Sequence, residues 1–160
     1  MKKEKKGVTA QGPPPEEMAA LALGPYRVGE MVGKGAFGSV YRGLNLETGA
    51  TVAIKTFNTV NVPEEELSSI ETEIRLLEKL NHSNIVKYMG TMRTENTMNI
   101  ILEFVESGSL QGLMRKYGGS FPEPLVSFYI SQVLEGLEYL HEQGVIHRDI
   151  KGANILYESA

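Results

Sequence analysis

The sequence predicts an α+β fold: a small antiparallel sheet that carries one helix and leads into a helical region. Three observations predict it. Apolar residues alternate with polar ones in short segments after Tyr26, their spacing changes to threes and fours from Glu64, and a long apolar run, LVSFYISQVLEGLEYL, comes late in the chain. No repeat at a period of about 20–50 residues suggests a solenoid or propeller instead.

The elements follow in order. Residues 1–25 begin MKKEKKG, become Pro-rich and show no periodicity, so a disordered leader is expected ahead of a domain over 26–160. YRVGEMVGKG and GSVYRGLN alternate Val, Tyr and Met around a glycine-rich turn, which reads as a β-hairpin. GATVAIKTFN is a third strand, opened by the turn-forming pair Thr48-Gly49. Leu67, Ile70, Ile74, Leu77 and Leu80 then make one stripe of a helix over Glu64–Leu80. Pro63 suits its start, and Glu64, Glu65 and Glu66 suit the positive end of its dipole. IVKYMGTMR and TMNIILEFV predict two more strands, and helices are expected at about Leu110–Tyr117 and Pro124–Gln143.

Composition narrows the function. A chain of 160 residues buries roughly 68–70% of its unfolded surface, enough for one real core. Its 41% apolar and 22% charged content is that of an ordinary globular protein, and a net charge of −4 argues against a nucleic-acid partner. The lack of cysteine removes disulfides, thiol nucleophiles and thiolate metal sites, and fits a reducing compartment. No apolar run reaches the roughly 20 residues that cross a bilayer. MKKEKKG is followed by VTAQGPPPEE rather than an apolar stretch, so a signal peptide is not expected either. The expectation is a soluble, cytoplasmic protein with no membrane span. His82 and His141 read as turn and helix-end residues, and the dispersed methionines as packing.

GKGAFGSV sets Gly33, Gly35 and Gly38 in a G-x-G-x-x-G-x-V frame. Without a Cβ, backbone N–H groups can approach phosphate oxygens closely. A P-loop would need Lys and Ser or Thr directly after the last glycine, where Ser39-Val40 stands; a dinucleotide fold would open a helix, where SVYRG continues as a strand. A plain glycine hairpin is the remaining alternative. VAIK then puts Lys55 on the third strand, where a cation among apolar neighbours needs anionic partners such as a phosphate and a carboxylate. On the next helix Glu73 lies about 50° from the centre of the stripe, against about 90–110° for Glu71 and Glu78. Glu73 is thus the acid expected to meet Lys55, with a solvated helix flank as its alternative. HRDIKGANIL finally gathers a carboxylate, a permanent cation and an amide oxygen in one short loop, the groups that phosphate chemistry uses.

In this order, GKGAFGSV, VAIK, a helix acid and HRDIKGANIL resemble the N-terminal half of a eukaryotic protein kinase domain, over about Tyr26–Leu156. The resemblance implies a kinase-like sheet lobe with one helix, part of a helical lobe, and ATP and Mg²⁺ as ligands. Position by position, it implies that Gly33, Gly35 and Gly38 cover the phosphates and that Val32, Val40, Ala53 and Leu156 enclose the adenine. Leu102 would be the gatekeeper, and Glu103 and Val105 would offer backbone hydrogen bonds to adenine. Lys55, held by Glu73, would bind the α- and β-phosphates. Asp149 would accept or orient the substrate hydroxyl proton, Lys151 would neutralise the γ-phosphate, and Asn154 would coordinate Mg²⁺. His147 and Arg148 would brace the loop.

Lys151 is similar to serine/threonine kinases rather than tyrosine kinases. HRDIKGANIL, YRGLN and NIILEFVESGSL together resemble MAP kinase kinase kinases and septation or mitotic-exit kinases. A protein substrate, such as a downstream kinase, and a regulatory protein partner are implied. The pattern departs from the family after NILYESA, because the Asp-Phe-Gly segment, activation loop and Ala-Pro-Glu motif do not follow. The domain is therefore expected to be truncated after the catalytic loop, and the late helix, apolar on nearly every face, to show apolar surface. With Asn154 as a weak neutral metal ligand, the 160-residue chain by itself is expected to be inactive. A non-catalytic nucleotide- or partner-binding fragment is the alternative. A small-molecule phosphotransferase is disfavoured by the spelling of the catalytic loop.

Overall fold

The computed structural model describes residues 23–35 and 38–159. Most of the expected leader lies outside these residues. The chain divides into two compact units, one of residues up to Glu78 together with Tyr88–Phe104, the other of Lys79–Lys87 with Val105 onward.

The first unit is a five-stranded sheet and a helix. Strands β1 (Tyr26–Gly35), β2 (Gly38–Asn45), β3 (Thr51–Asn58), β4 (Tyr88–Arg93) and β5 (Thr97–Glu103) lie in the order β1-β2-β3-β5-β4. Each neighbouring pair is antiparallel. The β2–β3 turn is made by Asn45, whose Oδ1 accepts hydrogen bonds from the N–H groups of Glu47 and Thr48, while Gly49 takes a φ of 74° that suits glycine. β3 alternates strictly between buried and half-buried residues, the period that puts successive side chains on opposite faces.

One face of the sheet carries Tyr41, Val52, Ile54 and Ile101, all fully buried, with Val28 and Leu23. Leu23 is 1% exposed and forms a bridge with Tyr26. Leu23, at the end of the segment expected to be leader, thus joins this core. The opposite face packs on helix α1 (Glu64–Glu78), where Ile74 meets Met98 and Ile100 with Ile70, Phe57, Tyr88 and Leu102 around them. Each such aliphatic side chain contributes about 1.5–3 kcal/mol of burial. The α1 stripe is as expected at Leu67 and Ile74, but the helix ends at Glu78, and Leu80 falls in the other unit. β4 starts at Tyr88 rather than Ile85, which belongs to a turn closed by the bond from Ile85 N–H to the His82 carbonyl.

The second unit holds helix α2 (Leu110–Lys116), helix α3 (Glu123–Glu142) and one 3-10 turn at Gly152–Asn154. α3 matches its expected span to within one residue. The segment before β4 packs on it: His82 stacks on Tyr139 at 4.9 Å, the Asn81 N–H donates to the Tyr139 hydroxyl at 2.8 Å, and the Asn84 amide donates to the Gln132 carbonyl at 3.0 Å. A Cβ on Gly136 would stand 3.2 Å from the Asn84 carbonyl oxygen, so the missing side chain sets this close approach. His82 also accepts a bond from Asn84 N–H, as a turn residue does. α3 also exposes large apolar side chains: Phe128 and Leu134 are each 59% accessible.

Candidate active site

The first unit assembles the glycine hairpin and Lys55. Gly33 stands opposite Val40 and Gly35 opposite Gly38, with Ala36 and Phe37 outside the described residues. Gly33 and Gly38 do different work. A Cβ on Gly38, whose φ is 137°, would collide with the Thr56 carbonyl oxygen. Gly38 is thus required by the fold itself. A Cβ on Gly33 would meet only Val40 at 3.9 Å, an ordinary contact. Among the described residues nothing crowds a side chain there, so the fold around it does not require glycine at Gly33 as it does at Gly38.

Sheet parity places several of the expected residues together. Val40 is opposite Lys55, and Leu102 is opposite Ala53, so Val40, Ala53, Lys55 and Leu102 share the face that bears α1. All four are half-buried, as is Glu103 at the end of β5. Val32 lies in an irregular stretch of β1 and is 47% exposed. The Lys55 ammonium lies 5.5 Å from the centre of the Phe57 ring, a cation–π arrangement within one face of β3. Glu73 is exposed on α1. From the same helix Glu71 pairs with Arg93 on β4, at 2.9 Å between Oε1 and Nη1. That ion pair was not legible in the helix stripe, since it depends on where the β4 end comes to lie.

The second unit assembles the catalytic loop. α3 ends with Gly144 at φ 76°, and Val145 N–H returns to the Leu140 carbonyl at 2.9 Å, a glycine-closed helix end. The chain beyond is tied to the start of α2. Leu110 N–H donates to the Ile155 carbonyl at 2.8 Å, Tyr157 N–H to the Gly108 carbonyl at 3.1 Å, and Ser109 pairs with Leu156 in a bridge. Ser107 Oγ accepts from Ser159 N–H at 3.1 Å. Ser109 also caps α2, its Oγ accepting from Gly112 N–H at 3.1 Å. The string VESGSL, in which the resemblance implies a backbone role for Val105 and the pattern a helix start at Leu110, also supplies the anchors of the loop.

Within that loop the expected residues come together. The Asn154 side-chain nitrogen donates to both the Asp149 carbonyl and its Oδ2, each at 2.9 Å. The Lys151 ammonium lies 3.6 Å from the same Oδ2. Asp149 N–H donates to His147 Nδ1 at 3.1 Å, and Arg148 takes a left-handed φ of 69°. A non-glycine residue there stores strain that the surrounding anchors must hold. His147 and Arg148 thus shape the turn. Asp149 and Lys151 are well exposed, with 62% and 57% of their side chains accessible. Because its nitrogen is bound to Asp149, Asn154 has Oδ1 left for a cation. Burial pushes the phenols of Tyr41 and Tyr88 above the ordinary tyrosine range.

A glycine hairpin beside a strand lysine, and a loop that clusters Asp, Lys and Asn, define a phosphate-handling chain of the kinase class. The chain matches the protein kinase domain over residues 26–160 and belongs to that family. It is 59% identical over 134 residues to the cytokinesis protein sepH of Aspergillus niger, across 84% of this chain and 10% of that protein. Its identity to MAP3K epsilon protein kinase 1 of Arabidopsis thaliana is 59% over 133 residues, across 82% and 10% of the two chains. Mitogen-activated protein kinase kinase kinase ANP1 of the same plant is 44% identical over 154 residues, across 92% and 23%. The lineage is that of serine/threonine kinases. The chain spans only about a tenth of the length of the first two relatives.

Proposed function

We propose that this chain supplies the nucleotide-binding and catalytic-loop part of a serine/threonine protein kinase. The reaction moves the γ-phosphate of ATP to a protein hydroxyl, in a cytoplasmic cascade of the MAP kinase kinase kinase or septation type, with a downstream kinase as substrate and a regulatory protein as partner. The observation that carries this reading is the cluster of Asp149, Lys151 and Asn154 on one anchored loop. In the reaction the hydroxyl oxygen bonds to the γ-phosphorus while the bond to the β–γ bridging oxygen breaks and ADP leaves. Asp149 orients the hydroxyl and takes its proton. Lys151 faces the transferring oxygens, where fixed charge lowers the barrier without reorganisation.

Lys55, steadied by Glu73, grips the α- and β-phosphates under Gly33, Gly35 and Gly38. Val32, Val40, Ala53 and Leu156 enclose the adenine, beside the gatekeeper Leu102 and the backbone of Glu103 and Val105. The donor set fits Mg²⁺: Asn154 would hold it through an amide oxygen, a hard ligand beside the Asp149 carboxylate. Among the described residues no group of three His, Asp or Glu side chains holds a metal by itself, so nucleotide oxygens must complete the shell. An ion held there by Asn154 would supply positive charge against the phosphates. Among the described residues no helix is long and apolar enough to cross a membrane.

A chimera tests the proposal: residues 1–156 followed by the corresponding downstream kinase residues of the Aspergillus niger relative. It is expected to phosphorylate serine or threonine in a protein substrate, and Asp149→Asn or Lys55→Met is expected to remove at least about 10²-fold of that rate. A folded chimera without transfer would contradict it. The 160-residue polypeptide alone should show no transfer above its Lys55→Met control, since one neutral amide is a poor metal anchor. A second reading, a non-catalytic partner-binding module, is favoured by the exposed Phe128 and Leu134 on α3.

A further inference from the structure

The sheet of the first unit contains a buried polar chain that the kinase reading does not use. Thr56 and Asn99 are both fully buried on the face of Tyr41 and Ile54, and they stand directly opposite each other on β3 and β5. Thr56 Oγ1 donates to Asn99 Oδ1 at 2.8 Å. The Asn99 amide nitrogen donates to the Met92 carbonyl on β4 at 3.1 Å and to Thr97 Oγ1 at 2.9 Å. Thr97 Oγ1 in turn shares a 2.6 Å bond with Thr94 Oγ1. Among the described residues no buried side-chain nitrogen or oxygen lacks a partner. One asparagine thus ties together three strands.

Its position is informative. Only two residues separate β1 from β2, short turns join β2 to β3 and β4 to β5, and such short connections fix the register of the strands they connect. The β3–β5 junction has no such turn, because α1 and β4 intervene. Hydrophobic pattern cannot set its register either. The first five residues of β5, Thr97 to Ile101, are all buried, and Ile100, Ile101 and Leu102 are consecutive aliphatics. A strand buried on both faces loses little by slipping one residue, yet such a slip turns every side chain to the other face. For β3 against β5, the slip would turn β4 and β5 over relative to the face that holds Lys55.

We infer that the Thr56–Asn99 pair is a register lock, a positioning device that keeps Lys55 on the same face as Ala53, Val40 and Leu102. A slipped sheet would strand two buried polar groups without partners, and that penalty selects the native pairing. The lock also reaches the glycine hairpin, since the Thr56 carbonyl is the group against which Gly38 rests. The register claim stands by itself; only its consequence for Lys55 rests on the proposed phosphate role.

The chain has no cysteine, so paired cysteines report register directly. In the otherwise unaltered chain, Ala53→Cys with Leu102→Cys joins residues that are native partners. Ala53→Cys with Ile101→Cys, or with Glu103→Cys, joins residues that face each other only after a slip. Without further change, oxidation is expected to link only the native pair. Adding Asn99→Leu, or the milder isosteric Thr56→Val if the first variant does not fold, should raise the slipped product at least about tenfold relative to the native one. Thr56→Ser, which keeps the hydroxyl, should restore the native-only pattern. Loss of thermal stability with exclusively native cross-links in folded Asn99→Leu or Thr56→Val would overturn the inference, because it would leave the pair a stabilising contact without a positioning role.

Discussion

Gly33 and Gly38 carry the same letter and face different constraints. Gly38 combines a positive φ with a backbone carbonyl where a Cβ would sit, so Gly38→Ala should cost more than about 2 kcal/mol in urea unfolding. Gly33→Ala should stay within about 0.5 kcal/mol of the parent, since its Cβ finds ordinary space. The same Gly33→Ala chain should bind ATP more weakly. Equal stability losses for the two would remove the argument that Gly33 serves a ligand. The glycine frame was visible in the sequence, but this division was not, because it depends on the approach of Thr56 from a strand further along. Asp149, Lys151 and Asn154 were legible because six consecutive positions hold them, and a short loop cannot carry them far apart. Lys55 and Glu73 are separated by a strand end, a loop and two helical turns, and the spacing of a helix stripe gives an angle without a distance.

At the scale of elements, the strands and helices followed from periodicity, and their ends moved where a local hydrogen bond outweighed the pattern. The catalytic loop is held both by hydrogen bonds within its own sequence and by its ties to the start of α2. Ser109 is the pivot, capping α2 while its neighbour Leu110 holds Ile155. Ser109→Ala is expected to cost about 1 kcal/mol and to speed hydrogen exchange at the Leu110 and Asn154 amides, which hydrogen bonds hold on either side of the loop. Unchanged exchange at both amides would show that the loop is held elsewhere. The β3–β5 register belongs to this scale too. No periodicity could have revealed it, since buried Asn99 reads as an interruption in an apolar strand until its partner Thr56 is seen across the ladder.

For the whole molecule, the feature with the most physical consequence is the apolar surface of α3. Val126, Phe128, Ile130 and Leu134 are exposed along a helix whose buried residues are Gly136 and Leu140. Such a surface favours association in water. Replacing Phe128 and Leu134 by Ser should lower light scattering at high protein concentration and leave the melting temperature within a few degrees, because neither side chain is buried in this chain. A melt lowered by more than about 10 °C would mean that these residues support the fold. The sequence pointed to this surface because the helix is apolar on nearly every face, which a half-solvated helix would not be.

Central to the proposed function is Lys55 holding nucleotide phosphates on the sheet face it shares with Val40, Ala53 and Leu102. Isothermal calorimetry of the chain with ATP, beside a Lys55→Met variant of matched melting temperature, tests this directly. The parent should bind, and the variant should bind at least about tenfold more weakly, since it loses a charge-assisted contact. Equal affinities in two equally folded proteins would contradict the account.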